Sequence, residues 1–162
     1  MMISAIVAVT NNGAIGKDSD QLYYISEDLK RFKKLTVGNT VIMGRRTFDA
    51  LPKGALPNRR NIVITNNTSL ICQGCEVVTN IEEALQKVEG EAFIIGGEQI
   101  YKLFLPITKR IYLTEINTDR PDADKYFPII DRDEWSVTEN TEWKTDLPSG
   151  LQYRYLVLDR KI

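Results

Sequence analysis

The sequence lacks histidine altogether, has only two cysteines, and contains no apolar run long enough to cross a membrane. The absence of histidine removes the side chain that most readily exchanges protons near neutral pH, so acidic residues become the leading candidates for proton chemistry. Basic residues number 21 and acidic residues 22, for a formal net charge of −1. This balance gives no overall attraction to nucleic acid or to an anionic membrane, and we expect neither as a partner.

The two cysteines form the segment Cys72-Gln-Gly-Cys75. A structural zinc site would need two further cysteine or histidine ligands, which the chain does not supply, so we expect no metal site. A thioredoxin-like redox pair opens a helix, whereas this pair lies in a loop before a β-like run at 76–78. We therefore expect a structural role for both thiols. The apolar start at 1–9 has no basic flank and is typical of a buried strand rather than a signal peptide, which favours a cytoplasmic protein.

Apolar β-like runs alternate with helical patterns along most of the chain. The patterns predict strands at 3–9, 40–44, 61–65, 77–78, 92–95 and 110–116, and helices at 26–36, 45–51, 80–88 and 98–105. Residues 135–143 and 151–160 alternate around a turn and predict an antiparallel hairpin. We therefore predict one α/β domain over 1–162, with a mainly parallel central sheet, a C-terminal antiparallel hairpin and helices on both faces.

Asp28 lies on the apolar side of the helix predicted at 26–36. At about 100° per residue, it faces the same side as Phe32 and Leu35. The basic residues of the helix are predicted to point elsewhere: Lys30, Arg31, Lys33 and Lys34. Burial of a carboxylate is costly and raises its pKa towards neutral pH. An acid in the first helical turn also stabilises the helix dipole, so both a structural and a chemical role stay open.

Two predicted strand-to-helix junctions carry glycine. In the first, Val41-Ile-Met-Gly44 precedes Arg45-Arg-Thr47, and in the second, Phe93-Ile-Ile-Gly96-Gly97 precedes Glu98. Free N–H groups at helix starts attract anions, and arginine and threonine side chains suit phosphate oxygens. Neither junction carries the G-x-G-x-x-G or Walker A pattern, so glycine used only for packing is an alternative. The pair of junctions would suit a dinucleotide at the carboxyl edge of a sheet.

Together these motifs resemble dihydrofolate reductase of the bacterial chromosomal type. The resemblance rests on Ala14-Ile-Gly16, Glu27-Asp-Leu29, Val41-Ile-Met-Gly-Arg-Arg-Thr47 and Ile94-Ile-Gly-Gly-Glu-Gln-Ile-Tyr101, and it spans the chain in order. It implies an enzyme that reduces 7,8-dihydrofolate to 5,6,7,8-tetrahydrofolate with NADPH, and we expect a monomer. Hydride would reach C6, and Asp28 would assist protonation of N5 through water.

The resemblance also implies the residues that meet the substrate. Asp28 would bind the pterin ring, Thr114 would support its carboxylate, and Arg59 would take the α-carboxylate of the glutamate tail. Tyr23 stands where the family commonly has tryptophan, and its phenol would donate to a water beside the acid. The resemblance assigns the apolar contacts to Ile6, Val7, Leu29, Phe32, Leu51 and Ile95. Arg60 is expected to be solvated.

For NADPH, the resemblance implies contacts at both glycine junctions, and a cis bond between the paired glycines. Nicotinamide-side contacts fall at Ala8, Ile15 and Gly16. Those of the first junction fall at Gly44, Arg45, Arg46 and Thr47, and those of the second at Ile95, Gly96, Gly97, Glu98, Gln99, Ile100 and Tyr101. Thr65 and Asn66, with Arg46, would receive the 2′-phosphate, although the family often has arginine where Asn66 stands.

The loop near the active site departs from the family pattern. Leu22 replaces the usual proline and Ala123 a usual glycine, while Asp124 matches an acid that clasps the closed loop. Two other functions therefore stay open. One is a non-catalytic NADPH- or pterin-binding protein on the same fold, to which Leu22 and Tyr23 point. The other is a related reductase of a different pterin or of a ribosylamino-pyrimidine, which Arg59 argues against because such substrates lack the glutamate tail.

Overall fold

The structure is a computed structural model that describes residues 1–18, 20–67 and 69–162. The strands in these ranges are β1 (Ile3–Thr10), β2 (Ala14–Lys17), β3 (Asp20–Gln21), β4 (Thr40–Gly44), β5 (Arg60–Ile64), β6 (Cys75–Val78), β7 (Ala92–Gly96), β8 (Arg110–Ile116), β9 (Lys125–Tyr126), β10 (Trp135–Asn140), β11 (Lys144–Thr145) and β12 (Gln152–Arg160). The helices are α1 (Ser26–Thr36), α2 (Arg45–Ala50), α3 (Ile81–Gln86), α4 (Glu98–Phe104) and a 3₁₀ turn at Leu105–Ile107.

The central sheet has the strand order β10-β12-β8-β1-β7-β4-β5-β6, with β11 paired to β12. All pairings from β8 through β1, β7, β4 and β5 to β6 are parallel, whereas β12 pairs antiparallel with both β8 and β10. The predicted fold class, a mainly parallel sheet with a C-terminal antiparallel pair, is confirmed.

Helices cover both faces of this sheet because alternate residues of its strands are apolar on opposite sides. On one face, Ile3, Ala5 and Val7 of β1 belong to a core shared with Tyr101 and Phe104 of α4, and α3 packs there as well. The opposite face carries a second core. Its members include Val41, Met43, Val63 and Phe93 from the strands, with Leu35 of α1 and Phe48 of α2 packed against them.

Most boundaries agree with the sequence prediction to within one or two residues. Asn80 lies just outside α3, where its side chain accepts a hydrogen bond from Glu83 N at 2.9 Å. α4 ends at Phe104, because Pro106 cannot donate to a continuing α-helix and lies instead in the 3₁₀ turn. A small sheet of order β3-β2-β9 was not predicted. Its strands have only two to four residues, too few for a clear alternating pattern.

The cysteines lie at the start of β6 and in the second core. Cys75 is the first residue of β6, one residue earlier than the strand-like run in the sequence suggested. Cys72 is buried beside Val63 and Phe93. Burial and the neighbouring Cys72 raise the pKa of Cys75 to about 11, which keeps it a thiol at neutral pH. Among the described residues, no helix is both long and apolar enough to span a bilayer.

Candidate active site

A cavity of about 910 Å³ opens at the carboxyl-terminal edge of the central sheet. β1 supplies its floor with Ile6, Val7 and Ala8, and α1 forms one wall. The two glycine junctions, at the ends of β4 and β7, form the opposite side. Ligands of open α/β sheets bind at this edge because strand ends and helix starts converge there. The cavity therefore brings together the acid-bearing helix and both candidate anion sites.

Asp28 reaches into this cavity and meets Thr114 of β8. The Thr114 hydroxyl donates to Asp28 Oδ1 at 2.7 Å, across 86 residues of sequence. Burial raises the pKa of Asp28, although the Thr114 hydrogen bond and the positive charge of Arg31 act in the opposite direction. Asp28 therefore combines a fixed orientation with a proton affinity above that of an ordinary aspartate.

Arg31 does not point away from the cavity, as the helical pattern had predicted. It lines the cavity, and its Cζ lies 4.0 Å from the centroid of the Tyr155 ring and 5.8 Å from that of Tyr112. The physical reason is that Arg31 follows Asp28 by three residues, so both occupy neighbouring positions on one helix face. The apolar stem and planar head of arginine suit a place over aromatic rings, where a lysine would be less favourable.

Tyr23, the predicted water donor, is not among the residues that line the cavity. It packs in a small cluster with Ala8, Ile25 and Tyr153, and Arg120 Cζ lies 5.4 Å from its ring centroid. Its neighbour Tyr24 lines the cavity instead, with its hydroxyl hydrogen-bonded to Asp20. The two tyrosines lie in the irregular segment between β3 and α1, whose path turns Tyr24 rather than Tyr23 to the cavity. Burial and Asp20 raise the pKa of Tyr24 to about 12.

Arg59 and Arg60 have different surroundings. Arg59 lines the cavity, where its Nε donates to Pro57 O and its Nη1 to Thr36 Oγ1, both at 3.0 Å. Burial lowers the pKa of Arg59, but a guanidinium stays charged at physiological pH. Arg60, expected to be solvated, is paired instead with Glu76 at 2.7 Å and Glu89 at 2.5 Å. The carboxylates of β6 and of the turn after α3 account for this difference.

The glycine junctions have little room for side chains. Gly96 has a φ of +126°, which L side chains rarely adopt, and the peptide bond between Gly96 and Gly97 is cis, as the resemblance implied. A Cβ added to Gly44 would lie 3.0 Å from Ile100 Cγ1, so a side chain there would force a shift. The bare backbone of both junctions therefore faces the cavity next to Arg45, Arg46 and Thr47. This donor set fits the phosphates of a dinucleotide.

Most of the residues predicted from the sequence meet in this one cavity. They are Ile6, Val7, Ala8, Ile15, Gly16, Asp28, Leu29, Phe32, Gly44, Arg45, Arg46, Thr47, Leu51, Arg59, Ile95, Gly96, Gly97, Glu98, Gln99, Ile100, Tyr101 and Thr114. Tyr23, Thr65 and Asn66 do not line it. Thr65 and Asn66 directly follow β5, whose last residue Ile64 is in register with Gly44, so they lie beside the first junction.

Sequence reasoning missed several residues of the cavity wall: Asp20, Gln21, Tyr24, Arg31, Lys33, Ala50, Pro52, Leu56, Ile64 and Lys125. The three-residue spacing from Asp28 was a usable signal for Arg31. Lys33, which was also predicted to point elsewhere, lines the cavity because a long lysine side chain reaches beyond its own face of the helix. No comparable pattern marked the loop residues. Among the described residues, no cluster of acidic or cysteine side chains is arranged to hold a metal ion.

The loop after β2 contacts the loop before β9. Asp124 Oδ2 accepts a hydrogen bond from Asp18 N at 3.1 Å, and Asp124 N donates to Gly16 O at 3.1 Å. Nearby, Lys17 and Arg120 both pair with Asp122. These contacts hold Gly16, a residue of the cavity lining, and they agree with the clasping contact that the resemblance implied for Asp124.

Comparisons with known proteins agree with this geometry. The family model described as "Dihydrofolate reductase" matches residues 2–160. A dihydrofolate reductase of Bacillus subtilis is 37% identical over 162 residues, covering 99% of this chain and 95% of the relative, and one of Mycobacterium leprae is 42% identical over 159 residues, covering 94% of each. Among solved structures, a dihydrofolate reductase from Enterococcus faecalis complexed with NADP(H) and RAB-propyl has a TM-score of 0.91 and 32% identity, covering 99% of this chain and 97% of that chain.

Proposed function

The chain belongs to the dihydrofolate reductase family, and we propose that Asp28 orients the pterin ring and directs a proton to N5 through water. The enzyme reduces 7,8-dihydrofolate to 5,6,7,8-tetrahydrofolate, with NADPH as the source of reducing equivalents. The observation that carries the proposal is the Thr114–Asp28 hydrogen bond inside the cavity, because it fixes one carboxylate oxygen at the site. The other oxygen is then directed at ring N–H donors such as a 2-amino group.

Other acidic and phenolic groups of the cavity are engaged elsewhere. Glu98 Oε1 accepts from Tyr126 N at 2.8 Å, and Asp20 is bound to Tyr24 at the rim. The Tyr101 hydroxyl donates to Ile6 O at 2.8 Å, and burial strongly raises the pKa of Tyr101, so it stays protonated. Asp28 therefore remains the group best suited to move a proton.

The walls of the cavity determine how a folate would lie. The apolar side chains of Leu29, Phe32 and Leu51 would contact the pterin and aminobenzoyl rings. These side chains would also exclude water from the reacting end of the substrate. Arg59 stands farther along the same wall, with its guanidinium oriented by Pro57 and Thr36. We assign it the α-carboxylate of the glutamate tail, a bidentate task that suits arginine.

The residues at the glycine junctions would hold the cofactor. When bound, NADPH supplies the hydride that reaches C6. We propose that Gly96 and Gly97 leave backbone space for the pyrophosphate, and that Arg45 and Thr47 bind phosphate oxygens. Arg46, supported by Thr65 and Asn66 beyond the end of β5, would read the 2′-phosphate. Ala8, Ile15 and Gly16 would contact the nicotinamide side.

The variant Asp28→Asn tests the assigned role. We expect turnover near neutral pH to fall by about two orders of magnitude or more, with partial recovery at lower pH where the substrate arrives already protonated. The assay follows NADPH absorbance with dihydrofolate across pH. Glu27→Gln is the matched control, because Glu27 precedes Asp28 on α1 but is exposed. A pH–rate profile unchanged in Asp28→Asn would refute the role.

We further propose that the protein works in the cytoplasm as a monomer, without a nucleic-acid partner. Most of the residues assigned to the substrate and the cofactor line one cavity within a single chain, which supports a site that needs no second copy. The near-neutral formal charge offers no general attraction to polyanions. Sedimentation equilibrium in the presence of NADPH tests the monomer, and a concentration-dependent mass would overturn it.

A further inference from the structure

Arg31 lies next to Asp28 on α1 and lines the same cavity, but the function proposed so far assigns it no role. Its partner ring, Tyr155 of β12, is in register with Thr114 of β8. Tyr112 precedes Thr114 by two residues and so lies on the same side of β8. The Asp28–Thr114 hydrogen bond and the stack of Arg31 on Tyr155 therefore form one continuous contact between α1 and the strands.

The guanidinium of Arg31 carries a charge that no ion pair neutralises among the residues that the structure describes. It is half-buried and faces aromatic rings rather than a carboxylate at bonding distance. Water screens the electric field of a half-buried cation over an aromatic ring less than it screens the field of an exposed cation. That field reaches Asp28, one helical turn away.

Other titratable groups also face this region. Glu27 lies beside Asp28 on α1, Tyr112 comes from β8, Tyr153 and Tyr155 come from β12, and Glu139 from β10. Burial raises the pKa values of Tyr153 and Tyr155, so these phenols are neutral at physiological pH. The charge of Arg31, in contrast, lowers the pKa of Asp28 and so opposes the effect of burial. Among the described residues, Arg31 is the cation whose charge bears on the pKa of Asp28, although Lys33 of the same helix also lines the cavity.

We propose that Arg31 is a positioning residue of the reaction, which favours the ionised form of Asp28 from a fixed place on the Tyr155 ring. This inference rests on the role proposed for Asp28. The carboxylate, rather than the carboxylic acid, then meets the ring donors of the pterin. The same positive charge disfavours a proton shared between Asp28 and N5, so Arg31 lowers the pH above which protonation of N5 becomes slow.

The test compares two variants. Arg31→Met keeps the apolar stem of the side chain but removes its charge, and Arg31→Lys keeps the charge. Lys34→Met is the matched control, because Lys34 is an exposed cation of the same helix that does not line the cavity. Single-turnover hydride transfer is measured across pH with saturating NADPH. We expect Arg31→Met to move the midpoint of the alkaline limb upward by about half to one pH unit. In Arg31→Lys the midpoint should stay close to that of the original protein, and in Lys34→Met it should not move.

A second measurement separates the failure of this inference from failure of the role assigned to Asp28. The Asp28 carboxyl is titrated by carbon NMR in the ligand-free protein, with Asp28→Asn used for assignment. The proposal is supported if, in Arg31→Met, both the titration midpoint of Asp28 and the midpoint of the pH–rate profile move to higher pH. An unmoved titration, or a rate lowered equally at every pH, overturns it and leaves the role of Asp28 intact. A moved titration with an unmoved rate profile overturns the proton role of Asp28 itself.

Discussion

Replacing Asp28 with asparagine should stabilise the folded protein at neutral pH while it removes activity. Burial raises the pKa of Asp28 in the folded state above its unfolded value. The folded state therefore binds more protons than the unfolded state between these two pKa values, and stability falls as pH rises through that window. At pH values above this window, the ionised carboxylate lowers the unfolding free energy, and asparagine removes that destabilising charge.

The size of the gain follows from the contacts of the carboxylate. Each pH unit by which the folded pKa exceeds the unfolded one costs about 1.4 kcal/mol. The asparagine carbonyl can still accept from Thr114 Oγ1, although a neutral acceptor is weaker than a charged one by about 1 kcal/mol. The interaction with the helix dipole, about 0.5 kcal/mol, is also lost. Burial outweighs the Thr114 hydrogen bond and the charge of Arg31 in the pKa of Asp28, so we expect the losses to be exceeded and the unfolding free energy to rise, on the order of 1 kcal/mol at most.

Urea denaturation at a series of pH values measures this gain. The unfolding free energy of Asp28→Asn should exceed that of the original protein at pH 7, and the excess should vanish under acidic conditions, where the carboxyl is protonated in both states. Glu27→Gln removes a charge from the same helical turn at an exposed position, so it isolates the effect of burial. A variant Asp28→Asn that is less stable than Glu27→Gln at pH 7 would refute the reasoning.

Three further variants test the binding assignments. Arg46→Ala should weaken NADPH more than NADH, measured as dissociation constants by fluorescence, and equal losses would show that Arg46 does not read the 2′-phosphate. Thr114→Val should lower kcat/KM by about tenfold to a hundredfold, as expected for a lost hydrogen bond to a charged group, whereas Thr114→Ser should keep most of it. Arg59→Lys should raise KM for dihydrofolate by about tenfold and leave that of a pterin without a glutamate tail unchanged; equal changes for both substrates would contradict the assignment.

The sequence specified those parts of the site that depend on regular structure. The period of α1 placed Asp28 on its inner side, and the glycines after two buried strands marked both junctions, because parallel strands end at one edge. The mainly parallel character of the sheet, although not the order of its strands, followed from the alternation of β-like and helical patterns. These are local rules that need no knowledge of distant contacts.

The remainder depended on tertiary contacts that leave no local signal. Tyr24 rather than Tyr23 faces the cavity because of the direction in which an irregular segment enters α1. Arg31 turned inward because Tyr155, more than a hundred residues later, supplies a ring for it. Arg60 is paired because β6 and the turn after α3 bring Glu76 and Glu89 beside it. Such partners become visible only when the sheet order is known.

The placement of β1 between β7 and β8 has a consequence for how the protein is made. During synthesis from the amino terminus, β1 has no strand partner until residues 92–96 have left the ribosome, and Asp28 has no Thr114 until β8 follows. The ring that supports Arg31 arrives later still, in the last strand. A nascent chain would therefore expose an apolar strand until residue 96 has emerged, and its active centre would be complete only after β12 has followed.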